Sequence, residues 1–143
     1  MLWRQYEEQI YREFSNKYPD LEILFDQEVL GRHSKVLRQV DILIRYSIAE
    51  VDCIAAFDCK CYAQRVDVQT VDYMVGYIDD LGASFGGVVT TIGFSEGAKS
   101  RAIASKVDLR TIVFESVEQV IDQFIPRLDF SDPRNSMYIP LLF

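Results

Sequence analysis

Leu2, Tyr6, Ile10 and Phe14 recur at every fourth position, with Trp3 beside them. Apolar residues at that spacing line one side of a helix, so residues 2–17 are expected to form an amphipathic helix. Tyr18-Pro19-Asp20 ends it, because a residue before proline is pushed out of helical geometry. Leu21–Leu30 reads as a strand, and Gly31 starts a turn. Gln39–Tyr46 alternates strictly, with Val40, Ile42, Ile44 and Tyr46 on one face and Gln39, Asp41, Leu43 and Arg45 on the other. Val51–Lys60 is apolar on both faces until Asp58, as in a strand covered on both sides. A turn near Ala49–Glu50 would pair it antiparallel with the preceding strand.

After a loop over Ala63–Val66, helical spacing returns from about Asp67 to Leu81, with Val68, Val71, Val75, Ile78 and Leu81 as its stripe. Gly82 stops it. Gly86–Thr91 is a short strand, and Ser95 caps a helix holding Ala98, Ala102 and Ile103. Leu109–Phe114 is a further strand. Ser116 and Gln119 fit a capping box for a helix over Val117–Phe124, and the tail after Pro126 is irregular. The order is α-β-β-β-α-β-α-β-α. It predicts an α/β protein whose mixed sheet starts as a three-strand antiparallel unit and then gains parallel strands.

A length of 143 residues suits one domain, and 49% apolar with 26% charged residues is an ordinary globular balance. No apolar run approaches the ~18 residues of a membrane-spanning helix. The acidic N-terminal segment does not resemble an export signal. Three cysteines, two of them flanking Lys60, read as reduced thiols in a cytoplasmic protein. A single histidine argues against a Ser-His-Asp triad or a His-rich zinc site. The net charge of −7 argues against coating nucleic acid by bulk charge.

The chemistry concentrates at one place. Asp58 and Lys60 lie two apart at the end of an apolar strand, so both side chains point to one face. Charges there are costly unless they pair or serve a site. Antiparallel pairing would bring Asp41 towards Asp58. Two close carboxylates repel, and a divalent cation such as Mg²⁺ removes that repulsion. A neighbouring lysine can orient an attacking water or stabilise a pentavalent phosphate. The plainer reading of Asp58 and Lys60 is an ion pair at a strand end.

Gln39-Val-Asp41-Ile, Phe57-Asp58-Cys59-Lys60, Val66-Asp67-Val68 and Gly87-Val-Val-Thr-Thr-Ile-Gly-Phe-Ser95, followed by Ala98 and Ala102, together resemble the PD-(D/E)xK nuclease superfamily. Its Mrr-like restriction endonuclease branch is the nearest match, over residues 1–125, leaving 126–143 as a tail that packs on the core or at an interface. The resemblance implies a restriction-endonuclease-like three-layer sandwich and a Mg²⁺-dependent DNA endonuclease of restriction, defence or repair, with Mn²⁺ able to substitute. It makes Asp41 and Asp58 the metal-binding acids and Lys60 the catalytic lysine. Glu7 becomes the helix glutamate that joins them, with Glu8 and Glu13 as rivals. Gln69 and Tyr73 resemble an accessory Gln-x-x-x-Tyr signature of other nucleases in the superfamily. Val40 replaces the proline common before the first acid, and Asp58 replaces the commoner glutamate. Neither change removes a ligand.

The charge distribution supplies candidate phosphate contacts. Arg32, His33, Lys35 and Arg38 form an acid-free turn just before Asp41, and Ser95, Lys99, Arg101 and Lys106 lie on or beside the later helix. A solvated hairpin and a plain helix cap are the alternatives. Asp79, Asp80 and the acids from Glu115 to Asp132 are expected to face away from nucleic acid. No base-reading element is present, which implies a targeting partner. Cutting both strands of a duplex implies a homodimer, with Phe130, Tyr138, Ile139, Leu141, Leu142 and Phe143 as interface candidates. DNA is the expected substrate, with RNA as the open alternative. The competing functions are a non-catalytic nucleic-acid-binding or scaffolding module, and an unrelated α/β protein with a chance Asp-x-Lys.

Overall fold

Apolar spacing at every fourth residue produces helix α1 (Leu2–Lys17), as predicted. The computed structural model describes residues 2–61 and 64–115. Leu2 and Trp3 stay exposed, and the buried face of α1 carries Tyr6, Ile10 and Phe14 together with three polar residues, Glu7, Gln9 and Glu13.

Strands β1 (Glu22–Leu30), β2 (Leu37–Ile48) and β3 (Val51–Lys60) form an antiparallel meander. Ile48 pairs with Val51, so Ala49 and Glu50 alone make the turn. Both adopt left-handed backbone, with φ of 51° and 69°. That is the geometry of a type I′ hairpin, which normally uses Asn-Gly. Replacing Ala49-Glu50 by Asn-Gly should therefore raise stability by about 1 kcal/mol. A urea midpoint that fails to rise at unchanged slope would show that the turn carries no strain.

Helix α2 (Val68–Leu81) is capped by Asp67, whose carboxylate accepts the Val68 N–H at 2.7 Å. It stops at Gly82 in left-handed conformation, with φ of 69°. Strand β4 (Phe85–Thr90), helix α3 (Glu96–Ser105, capped by Ser95) and strand β5 (Asp108–Thr111) follow. The described strands form one sheet in the order β1-β2-β3-β4-β5, with β3, β4 and β5 parallel. α1 covers one face through Tyr6, Ile10 and Phe14, packed on Ile42, Ile44, Ala55, Phe57 and Val89. α2 and α3 cover the other through Val71, Met74, Tyr77, Leu81, Ala98 and Ala102. This is the three-layer α/β sandwich predicted.

Three details differ from the sequence pattern. Val40 packs with Leu43 on the α2 side, whereas Ile42 and Ile44 pack against α1, so the expected Val40–Ile42–Ile44–Tyr46 face breaks at Asp41. The ladder between β1 and β2 skips Asp26 and Asp41, and Asp26 has φ of 56°. Left-handed backbone inside a strand twists it locally, and Asp is among the few residues that tolerate it. The buried stripe of α2 turns from Val75 and Ile78, which are half-buried, towards Met74 and Tyr77. The last described strand ends at Thr111 rather than Phe114 because α1 takes over its backbone partners. Tyr6 hydroxyl donates to the Ile112 carbonyl at 2.8 Å, and the Gln9 amide donates to Val113 O at 2.9 Å and accepts from Glu115 N at 3.0 Å. The expected helix over Val117–Phe124 and the tail with Phe130, Tyr138, Ile139, Leu141, Leu142 and Phe143 lie outside the described residues.

Candidate active site

The register of the meander places Asp41 next to the end of β3. Ile42 pairs with Phe57, and one step further Asp41 Oδ2 accepts the Cys59 N–H at 2.8 Å. Period two sends Asp58 and Lys60 to the same side of β3. Lys60 Nζ lies 2.9 Å from Asp58 Oδ2. Strand β4 fixes the backbone of the lysine: its carbonyl accepts from Thr90 Oγ1 at 3.0 Å and from Thr91 N at 3.3 Å. Glu7 comes from the buried side of α1 and is a hydrogen-bond partner of Asp41. The structure thus brings Glu7, Asp41, Asp58 and Lys60 together from three elements. Glu8 is exposed, and Glu13 lies further along α1 beside Gln9 and Glu115.

Electrostatics mark this as a charged site under strain. Burial, then the hydrogen bond and charge of Asp58, push the Asp41 carboxyl up to about 9, with Glu7 adding to the effect and the Cys59 N–H opposing it. Burial also raises Glu7, and the nearby charges of Asp26 and Asp58 add to it, while its hydrogen bond with Asp41 pulls it down. Asp58 Oδ2 is enclosed by protein and receives no well-directed hydrogen bond. Without a cation the cluster therefore keeps a proton on Asp41 at neutral pH.

Among the described residues no group of three His, Cys, Asp or Glu side chains is placed to hold a metal ion. The donors nevertheless suit one. Asp41 and Asp58 adjoin, Glu7 is near enough to act on the Asp41 carboxyl, and Asp58 holds an enclosed oxygen without a hydrogen bond. Hard oxygen donors of this kind match Mg²⁺ or Mn²⁺. Cys53, Cys59 and Cys61 are free thiols.

Arg32, Lys35, Arg38, Ser95, Lys99 and Arg101, candidate phosphate contacts, have partners within the chain. Arg32 donates to the Asp79 carbonyl at 2.9 Å and carboxylate at 3.0 Å, and Lys35 Nζ donates to the Arg32 carbonyl at 2.7 Å. Arg38 pairs with Asp80 at 3.2 Å. Ser95 caps α3 and donates to Asp67 at 3.2 Å; Lys99 pairs with Glu96 at 3.1 Å and Arg101 with Asp72 at 2.8 Å. Gln69 is exposed on α2, and Tyr73 is exposed and stacked on Tyr77.

Three residues that sequence reasoning missed organise this region. Asp26 makes the strand irregularity beside Asp41 and accepts from Gln39 Nε2. The buried Tyr77 donates its hydroxyl to the Gln39 carbonyl. Asp80 is buried under the turn after Gly31 and accepts from His33 N at 3.0 Å, Ser34 N at 2.9 Å and Ser34 Oγ at 2.7 Å. Gly31 makes room for it, since a Cβ there would sit 2.2 Å from Asp80 Oδ2. The Ser34 hydroxyl and N–H, with His33 N–H and Arg38, hold the Asp80 carboxyl down at about 2. A depressed carboxyl stabilises the fold above its ordinary range and loses that contribution as pH falls towards 2. Asp80→Ala should therefore speed amide exchange at His33 and Ser34 at neutral pH. Unchanged protection there would mean that the turn is held by other contacts.

A mixed sheet between helical layers, with acids and a lysine gathered at adjacent strand ends, is the restriction-endonuclease-like architecture. A family model described as restriction endonuclease, of the Mrr catalytic type, matches residues 26–113, more than half of the chain, and the chain belongs to that family. The fold is similar to that of AF1548, a protein of unknown function (TM-score 0.61, 16% identity, 83% of this chain and 66% of that one). It is also similar to the MspJI restriction endonuclease, solved with a 27-mer oligonucleotide (TM-score 0.53, 18% identity, 77% of this chain). The chain matches 25% of the length of MspJI. At these identities the likeness is one of fold. A comparison with curated proteins returned no match.

Proposed function

We propose that this restriction-endonuclease-family chain is a Mg²⁺-dependent DNA endonuclease acting in restriction, defence or repair. The observation that carries the reading is Asp41 set beside Asp58, with Lys60 Nζ 2.9 Å from the Asp58 carboxylate and Glu7 approaching from α1. Glu7, Asp41 and Asp58 would hold the cation, with Mn²⁺ able to replace Mg²⁺. When bound, the cation supplies Lewis-acid polarisation of the phosphate and a more acidic water. The chain's own residues do the rest. Lys60 presents a fixed ammonium to the negative charge that grows on the phosphate oxygens. Asp58 orients that ammonium, and Thr90 and Thr91 hold the lysine's backbone. The Cys59 N–H orients the Asp41 carboxylate.

The oligonucleotide in the MspJI structure supports a nucleic-acid substrate. A net charge of −7 makes the local basic groups decisive for binding. Arg32, Lys35, Arg38, Ser95 and Lys99 are the proposed contacts, and their present ion pairs would exchange for phosphate. A homodimer would set two centres on opposite strands, and a partner protein would supply targeting. No described helix is long and apolar enough to cross a membrane.

The test is cleavage of plasmid, linear duplex, branched and single-stranded DNA, and of RNA, with Mg²⁺, Mn²⁺ or EDTA. Cleavage of DNA that requires the cation is expected. Binding without cleavage of any substrate would replace this reading with the non-catalytic module.

A further inference from the structure

We infer that Tyr73 is a stacking platform for an unpaired nucleobase next to the acidic centre, so that the chain favours DNA with single-stranded or frayed segments over flush duplex. This deepens the nuclease reading and rests on it for the identity of the substrate.

Tyr73 is an aromatic residue that α2 leaves 54% exposed. It is not loose. Its ring stacks on that of Tyr77, with centroids 5.5 Å apart and planes at 22°. Tyr77 is buried and anchored by its hydroxyl to the carbonyl of Gln39. Gln39 is two residues before Asp41, a separation of about 7 Å along a strand. Arg38 lies over both rings, 5.8 Å from the centroid of Tyr73 and 5.1 Å from that of Tyr77. It reaches the Tyr73 hydroxyl at 3.4 Å and is itself held by Asp80 at 3.2 Å. The result is a short ladder: an exposed ring, a buried ring, and then the strand that carries Asp41.

A ring fixed before its ligand arrives loses little conformational freedom on binding. Base stacking on aromatic side chains tolerates any base, because every base offers a π-face. A base inside a duplex has both faces covered by its neighbours, whereas a base in a flap, gap or frayed end does not. The ladder therefore selects unstacked bases, and it joins the exposed ring to the strand that carries Asp41. A ring that only covered Tyr77 would serve equally well as an aliphatic side chain.

That difference sets the experiment. Binding of the full chain is measured by fluorescence anisotropy, with Ca²⁺ in place of Mg²⁺, to a DNA with a short single-stranded flap. The same DNA with abasic flap sugars and a flush duplex are measured beside it. Tyr73→Leu keeps an apolar cover, and Tyr73→Trp keeps an aromatic face. Thermal melts confirm that both fold. The wild-type chain should prefer the flap. Tyr73→Leu should weaken flap binding about tenfold and leave abasic and flush binding unchanged, and Tyr73→Trp should restore the flap preference. Equal loss on all three probes, or no loss on the flap, overturns the stacking role alone. No binding to any DNA by the wild-type chain overturns the nuclease reading with it.

Discussion

Lys60→Ala should reduce DNA cleavage by about 10²- to 10³-fold, the range seen when one preorganised donor to a developing oxyanion is removed. Asp41→Asn should reduce it at least as far. The two variants should nevertheless move stability in opposite directions. Lys60 supplies the positive charge 2.9 Å from Asp58 Oδ2, an enclosed oxygen without a well-directed hydrogen bond. Removing the ammonium leaves a carboxylate uncompensated, so Lys60→Ala should melt at a lower temperature. Asp41 presents the reverse case. Its carboxyl is raised to about 9 by burial and by Asp58. A raised carboxyl is stable when protonated, so the folded state keeps a proton that the unfolded state releases above about pH 4. Stability is then lost as pH rises from about 4 towards 9. Asparagine imitates the protonated acid at every pH. In EDTA at pH 8, Asp41→Asn should therefore be more stable than the wild-type chain, and the difference should vanish at pH 4. Calorimetry beside the cleavage assay checks both. Cleavage lost with opposite stability changes marks acids held together for a cation. Cleavage retained in Lys60→Ala removes the lysine from the mechanism.

The same physics explains what could be read from the sequence. Helix α1, strand β3, the Gly82 stop of α2 and the Ser95 cap of α3 are local features. Each follows from spacing or from one residue type, and each stands where the sequence places it. Asp41, Asp58 and Lys60 were legible because antiparallel pairing and period two are enough to bring them to one end of the sheet. Glu7 needed the resemblance, since nothing local distinguishes it from Glu8. The features that escaped are all set by tertiary contact. Val40 changes face because Asp26 takes left-handed backbone opposite Asp41. Asp80 looks like a solvated helix acid until the turn after Gly31 closes over it. Tyr77 reads as a polar-tipped residue beside the apolar stripe, yet its ring is buried and Gln39 offers its hydroxyl a carbonyl. The basic turn, read from its charges as a phosphate grip, is also a clasp on α2.

Glu13 gives the second large effect, away from the candidate site. It is 1% exposed, and its Oε2 has no hydrogen bond. Burial pushes its carboxyl up to about 7; the Gln9 amide and Arg12 draw it down, and the charge of Glu115 raises it. Glu115 is itself raised by burial and also has an enclosed Oε2 without a hydrogen bond. Below about pH 4.5 Glu13 is protonated in both folded and unfolded chains and costs nothing. Between about 4.5 and 7 only the folded chain holds the proton, so stability falls with rising pH by up to about 3 kcal/mol. Glutamine keeps the shape and never ionises. Glu13→Gln should thus match the wild-type chain at pH 4 and exceed it by about 2 to 3 kcal/mol at pH 8. Urea unfolding at the two pH values reads this directly, and comparison of the two chains cancels the contribution of Asp41. A gain of equal size at both pH values would assign the effect to packing. No gain at pH 8 would show that the Glu13 carboxyl is not raised in the folded chain. Glu13 adjoins Gln9, which clamps the chain after β5, so its ionisation acts on that clamp. Amide exchange at Glu115 should accelerate above pH 7 in the wild-type chain and stay slower in Glu13→Gln.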